Sequence, residues 1–162
     1  MSNPEWVIIG CGKGKKPRPA PAADLYTGAY IKASVKWARS VTIPSRILIL
    51  SAKHGLIRSN KVIAPYQASF SSTGFAKAAG GEPPVDDATI AGQIDAFALS
   101  GPVITLAGES YRRRLIAASR GALAPYNPFL PVLDQLGHDH RTGYQAQQLN
   151  RWRGRIPQNG NA

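Results

Sequence analysis

The stretch Trp6-Val7-Ile8-Ile9-Gly10 decides the fold class of this chain. A short, β-branched apolar run that stops at a glycine is typical of a buried parallel strand. Two later runs have the same character, namely Arg46-Ile47-Leu48-Ile49-Leu50 and Pro102-Val103-Ile104-Thr105-Leu106. Each gives way to small or polar residues, so each predicts a further buried strand that ends in a loop.

Segments with helical spacing separate and follow these runs. We predict helices over residues 27–39, 86–99, 109–119 and 143–153. The alternation of strand and helix indicates an α/β fold, with a mostly parallel sheet and helices on its faces. Residues 56–84 are predicted to lie over the surface, and no strand is assigned to the proline-rich and aromatic stretch 123–133.

Length and composition favour one globular domain that binds a polyanion. The 162 residues suit a single domain over 1–157, with a frayed tail over 158–162. The formal net charge is +11, from 20 Lys and Arg against 9 Asp and Glu. A surface of this charge gains free energy from counterion release on nucleic acid, so we expect a nucleic-acid partner, with DNA favoured over RNA.

The sequence lacks the features that are typical of membrane, secreted and metal-binding proteins. The longest apolar runs are too short to cross a bilayer, and the N-terminal residues do not resemble a signal peptide. The single cysteine permits no disulfide within the chain, which favours a reducing, cytoplasmic location. One Cys and three His form no familiar ligand set, so we expect neither a metal nor a cofactor. We expect a monomer.

Three loops are predicted to meet at one edge of the sheet. Right-handed crossovers place the carboxyl ends of parallel strands together, and ligands of open α/β sheets bind at that edge. The loops that follow the three predicted strands are residues 10–16, 51–55 and 107–111. They are the candidate site.

The first loop has the composition of a phosphate-binding loop. Its candidate contacts are Gly10, Cys11, Gly12, Lys13 and Lys15. Glycines let the backbone approach an anion and lysines supply charge, although the spacing is not that of a Walker A loop. The alternative is a mobile basic loop without a fixed ligand. A cysteine at such a junction is more often a small core residue than a nucleophile.

The second loop, Ser51-Ala52-Lys53-His54-Gly55, brings polar side chains to a strand end. His54 can donate to a developing anion or move a proton near neutral pH. Lys53 can contact phosphate or, with a depressed pKa, act as an amine nucleophile. The alternative is that His54 caps backbone groups and Lys53 faces solvent. Ser51 is a further candidate contact.

Two more segments contribute candidates. Asp24 is predicted to act as a general base, to stabilise positive charge in a transition state, or to serve only as a turn or N-cap residue. Tyr26 is predicted either to stack on a base or to fill the core. In the third loop, backbone N–H groups at a helix start can bind phosphate. Its candidate contacts are Gly108, Tyr111, Arg112 and Arg113.

Four motifs carry a resemblance. They are Gly10-Cys11-Gly12-Lys13, Asp24-Leu25-Tyr26-Thr27-Gly28, Leu50-Ser51-Ala52-Lys53-His54-Gly55, and Leu106-Ala107-Gly108 with Tyr111. Over residues 6–152 the chain resembles an uncharacterised family of small bacterial and phage proteins, a domain of unknown function. That organisation is similar, more distantly, to the uracil-DNA-glycosylase fold and to the glycosylase-like domain of archaeal tRNA transglycosylases.

The resemblance implies a three-layer sandwich of the uracil-DNA-glycosylase type. Those enzymes place an Asp after the first strand, close to a Tyr, and a His after a later strand, which implies such positions for Asp24, Tyr26 and His54. The Gly-Gln-Asp-Pro and His-Pro-Ser loops of those enzymes are absent here, and Asp24 lies well beyond the strand end. Glu109 and Asp134 are therefore competing carboxylates.

These features lead to one expected function and two alternatives. We expect a DNA base N-glycosidase that excises a modified or damaged pyrimidine from a flipped nucleotide, with Asp24, His54 and Lys53 as catalytic residues. The first alternative is a non-catalytic nucleic-acid-binding module. The second is an enzyme on free nucleotides or nucleosides that holds phosphate with the Gly-Lys loop.

Overall fold

The computed structural model describes residues 5–70, 82–130 and 142–157. The strands are β1 (Val7–Gly10), β2 (Ala20–Pro21), β3 (Ile47–Ser51), β4 (Gly55–Arg58), β5 (Val62–Ile63), β6 (Gly101–Leu106) and β7 (Leu123–Tyr126). The helices are α1 (Ala22–Leu25), α2 (Ala29–Val41), α3 (Asp87–Ala96), α4 (Glu109–Ser119) and α5 (Thr142–Arg151).

A five-stranded, mostly parallel sheet forms the centre of the fold, which confirms the predicted α/β class. Its strand order is β4-β3-β1-β6-β7, and only β4 runs antiparallel to its neighbour. The central strand β1 pairs with β3 and β6, so that Ile8 lies between Leu48 and Thr105. Because β1 is covered on both faces, its sequence is continuously apolar rather than alternating.

Two hydrophobic clusters lie on opposite faces of the sheet. Val7 and Ile9 face the cluster built with α2 and α5, and Ile8 faces the cluster built with α3 and α4. In the first cluster, Trp37 packs edge-on against Phe129 and its indole N–H donates to the carbonyl of Trp152. These contacts fasten the C-terminal segment to α2, and the buried Trp152 ring faces inward.

Strand β4 corrects the prediction of a surface loop over residues 56–84. It forms a tight hairpin with β3, in which Leu50 pairs with Leu56. The turn closes at Gly55, whose φ of +73° is a conformation that glycine adopts without strain. The side chain of Gln93 from α3 holds this hairpin: its Oε1 accepts from the Leu56 N–H at 2.7 Å and its Nε2 donates to the His54 carbonyl at 2.8 Å.

Strand β7 corrects the sequence prediction, which assigned no strand to residues 123–133. It lies parallel to β6 at the sheet edge, with Val103 opposite Pro125. A proline cannot donate to a strand ladder, so it is found on edge strands, where one side makes no pairs. The edge position of β7 therefore explains how a strand tolerates Pro125.

The topology places a crevice between β1 and β6. The chain moves from β1 to β3 on one side of β1, and α3 then returns it to β6 on the other side. In such sheets the ligand site lies where the strand order reverses, outside the carboxyl ends of the strands. Here β1 and β6 approach closely, since a Cβ atom on Gly10 would lie 2.7 Å from the Cβ of Ala107.

The Gly55→Ala substitution is expected to destabilise the protein by about 2 kcal/mol, because a side chain at positive φ is strained and its Cβ would collide with the amide of Gln93. Gly92→Ala in α3 is the matched control. Nothing lies within 4 Å of a Cβ there, so this change is expected to stabilise by about 0.5–1 kcal/mol. Urea unfolding of both variants measures the difference, and equal stabilities would contradict this account of the hairpin.

Candidate functional site

The three predicted loops meet at the carboxyl edge of the sheet, and Cys11 is their point of contact. The Cys11 N–H donates to the carbonyl of Leu50 at 3.0 Å. Its Sγ accepts from the Ala52 N–H at 3.4 Å and lies 3.2 Å from the Tyr111 hydroxyl. The loops that follow β1, β3 and β6 are thus joined by one half-buried side chain.

A hydrogen-bonded tyrosine cluster, which we define as Tyr26, Tyr66 and Tyr111 with Ser51 and Cys11, lies below this edge. The hydroxyls of Tyr26 and Tyr66 are 2.6 Å apart, and Ser51 Oγ donates to the Tyr66 hydroxyl at 2.8 Å. Ser51 Oγ also accepts from the N–H groups of the next loop at 3.2 and 3.0 Å. The serine therefore shapes the turn and joins it to the tyrosines.

The three tyrosines of the cluster are neutral at physiological pH. Burial is the main reason that the pKa values of Tyr26, Tyr66 and Tyr111 lie well above the ordinary value of 10.0. Tyr26 is only 1% exposed, so its ring fills the core and offers no face to a nucleobase. The structure thus decides between the two predicted roles of Tyr26, in favour of the core.

The basic loop is folded against the chain that follows it. The Lys16 N–H donates to the Leu25 carbonyl, and the Thr27 N–H donates to the Gly14 carbonyl. Lys15 lies 4.5 Å from the centre of the Tyr66 ring and donates to the carbonyl of Lys13. Partial burial lowers the pKa of Lys15. Lys13 is exposed. A Cβ atom added at Gly12 would make only ordinary van der Waals contacts.

The two predicted catalytic residues of the second loop point to different places. The His54 ring packs edge-on against Tyr66 at 5.6 Å. Partial burial, with the charges of Lys53 and Lys61, lowers the pKa of His54, so this ring is neutral at pH 7. Lys53 lies outside the tyrosine cluster, where its Nζ is exposed and pairs with Glu82 at 3.1 Å.

Asp24 is not brought to the tyrosine cluster. It lies on α1 with an exposed carboxylate, 3.8 Å from the guanidinium of Arg39. Helix α2 begins at Ala29, at the carboxyl edge of the sheet. Arg39 lies ten residues further along this helix, a rise of about 15 Å. The first-choice catalytic carboxylate of the sequence prediction therefore faces solvent and pairs with Arg39.

A cavity of about 490 Å³ opens beside the β1/β6 crevice. Its lining combines a carboxylate, a guanidinium, two amides and a phenol ring. The lining residues are Tyr30, Thr105, Ala107, Gly108, Glu109, Arg112, Asn127, Leu130 and Gln145. This volume lies within the range of small-ligand sites.

Helix α4 begins at this cavity. Gly108 is its N-cap and supplies no side-chain cap, and within the described segments the N–H groups of Glu109 and Ser110 donate to no acceptor. Free N–H groups at a helix start attract anions. Glu109 and Arg112 from the first turn face the same cavity, so both signs of charge are present in it.

The successive arginines of α4 point in different directions. Arg112 lines the cavity, whereas Arg113 is exposed and pairs with Glu109 at 2.8 Å. Arg114 pairs with Asp87 at 3.0 Å and stacks on Phe70. Arg112 is therefore the arginine available to a ligand in the cavity.

Several site residues had no sequence signal. Tyr66 lies in a segment predicted as a surface loop, and Asn127 follows a strand that was not assigned. Tyr30 was predicted only as a helix residue. Burial raises the pKa of Tyr30 to about 12, and its side-chain hydrogen bonds with Ser34 and Asn127 lower it. Asp134 lies outside the described residues. Within the described segments, no three His, Cys, Asp or Glu side chains converge on a metal-sized space.

A family of unknown function, DUF6884, matches residues 7–141. The chain belongs to this family. Neither the curated proteins nor the solved structures contain a significant match to the chain. The family match covers the three loops, the tyrosine cluster and most of the cavity lining, and it assigns none of them a role. In the segments that the structure describes, no helix is long and apolar enough to span a membrane.

Tyr66→Phe is expected to destabilise the protein by about 1–3 kcal/mol, because it removes the buried hydroxyl to which the side chains of Tyr26 and Ser51 hydrogen-bond. Tyr126→Phe is the control, since Tyr126 is 38% exposed on β7 and its change is expected to cost less than about 0.5 kcal/mol. Denaturant unfolding measures both. Equal effects would show that the hydroxyl network contributes nothing to stability.

Proposed function

We propose that this protein is a nucleic-acid base N-glycosidase that takes a flipped base into the cavity beside the β1/β6 crevice. The observation that carries the proposal is the lining of that cavity: Glu109, Arg112, Asn127 and Gln145 converge at the carboxyl edge of the sheet, beyond β6 and β7, in a strongly basic protein. Amide groups suit the donors and acceptors on a base edge, and the net charge suits the phosphate backbone.

The cavity contains groups for each charge that develops during cleavage of the glycosidic bond. Water adds to C1′ and the electrons of the C–N bond leave with the base, through a state in which the sugar carries positive charge. The Glu109 carboxylate stabilises this cation and takes a proton from the attacking water. Arg112 and the free N–H groups of α4 stabilise the negative charge on the departing base, which then takes up a proton.

Glu109 is a better candidate than Asp24 for this carboxylate. Glu109 lines the cavity, whereas Asp24 pairs with Arg39 away from it. The Glu109–Arg113 pair does not oppose this role, because its side chains are 63% and 75% exposed. Exposed pairs of this kind contribute about 0–1 kcal/mol, so the carboxylate is free to turn toward a substrate.

We extend the proposal to the substrate and to the fold. A modified or damaged pyrimidine in DNA is the favoured target, and the enzyme is proposed to act as a cytoplasmic monomer. A sheet of mostly parallel strands with hydrophobic clusters on both faces supports a fold of the uracil-DNA-glycosylase type. His54 and Lys53 have no place in the cavity and are removed from the proposed mechanism.

Glu109→Gln and Asp24→Asn form a matched pair of variants that tests this proposal. The substrates are DNA duplexes that carry different modified pyrimidines, and alkaline cleavage followed by a gel detects base release. Glu109→Gln is expected to lower the rate about 100-fold or more with unchanged DNA affinity, because only the charge is removed. Asp24→Asn is expected to change the rate by less than about twofold, since its exposed ion pair is weak.

Two outcomes would contradict the proposal. A normal rate in Glu109→Gln would remove this carboxylate from the mechanism. Intact strands across the whole panel with the unmodified protein, together with a shifted band on a native gel, would favour the non-catalytic nucleic-acid-binding module.

A further inference from the structure

We propose that the groove between β4 and α3 binds the backbone of single-stranded nucleic acid. This inference rests on the proposed function, because it names where the nucleotides that flank the target base lie. The β4–α3 groove has a volume of about 380 Å³, and the lining residues that matter here are His54, Arg58, Asn60, Lys61, Gln93 and Phe97.

The charged side chains that line the β4–α3 groove are both cationic. Arg58 and Lys61 line it, and in the described part of the chain neither is within ion-pair distance of a carboxylate. The nearby carboxylate Glu82 pairs with Lys53 instead. Two cations without counter-charges favour an anionic ligand such as a row of phosphates.

Arginines and aromatic rings alternate at one end of the groove. The Arg58 guanidinium lies 5.3 Å from the centre of the Phe97 ring, and Phe97 packs edge-on against Trp6 at 6.2 Å. Arg46 lies 4.7 Å from the centre of the Trp6 ring. Rings hold each guanidinium in place, which orders its N–H groups for phosphate contacts. Cationic grooves lined with aromatic side chains are typical of single-strand binding.

The position of the groove agrees with the position of the cavity. The edge strand β4 is separated from β6 by β3 and β1, so these two strands lie about three strand spacings, or roughly 14 Å, apart. His54 stands at the carboxyl-edge end of the β4–α3 groove, where it contacts the tyrosine cluster. A nucleic-acid strand with one nucleotide in the cavity can therefore run along the carboxyl edge and enter the groove past His54.

A binding experiment with two matched double variants tests the inference. Arg58→Glu with Lys61→Glu reverses the groove, and Arg120→Glu with Lys36→Glu is the control. The control residues are an exposed Arg and an exposed Lys on other surfaces, and each double variant changes the net charge by the same amount. Fluorescence anisotropy with a labelled, unmodified single-stranded DNA 20-mer measures affinity at several salt concentrations, and circular dichroism checks folding.

The groove variant is expected to bind about tenfold or more weakly than the unmodified protein, while the control stays within about threefold. A variant that only neutralises the two side chains, Arg58→Gln with Lys61→Gln, is expected to reduce the salt slope by about 1.4, since each phosphate contact contributes about 0.7. Equal weakening in the groove and control variants would overturn the inference, as would no weakening in either.

This experiment is separable from the test of the proposed function. The oligonucleotide carries no modified base, so the result does not depend on base release. Absence of single-strand binding would overturn the groove proposal even where duplexes are cleaved. Groove-dependent binding without base release on any duplex would support the groove and overturn the glycosidase.

Discussion

The close pairing of β1 with both of its neighbours is the constraint on which the rest of the structure depends. The strand is buried on both faces and bonded on both edges, and at its last residue, Gly10, the backbone lies so near Ala107 that a side chain would collide. Position 10 therefore requires glycine. Cys11, the first residue beyond it, contacts the loops after β3 and β6, and the switch-point cavity opens alongside.

The sequence predicted those parts of the fold that depend on local burial and on topology. Continuously apolar runs identified the central strands, and the crossover rule placed their loops together. Strands β4 and β7 escaped prediction because both are short edge strands, one hidden behind a tight glycine turn and one containing Pro125. Their formation depends on neighbours that are distant along the chain, and the same holds for the contact between Asp24 and Arg39.

In the candidate site, uncharged side chains hold the loops in place, and charged side chains line the proposed ligand surfaces. Tyr26, Tyr66 and Ser51 of the tyrosine cluster are buried and uncharged, and they hold the loops through their hydroxyl groups. Charges lie outside it, with Glu109 and Arg112 in the cavity and Arg58 and Lys61 in the β4–α3 groove. Sequence motifs located the loops correctly because they follow strands, but they did not distinguish the residues that hold a loop in place, such as Ser51, from those that face a ligand.

The central claim is that the cavity beside the β1/β6 crevice is the ligand site. Hydrogen–deuterium exchange with an oligonucleotide that carries a cationic pyrrolidine in place of the target sugar tests it most directly, because this group mimics the charge of the transition state. The account predicts new protection at residues 107–112 and 127–130, around the cavity, above that produced by an unmodified oligonucleotide. Protection confined to other segments, or equal protection with both oligonucleotides, would contradict it.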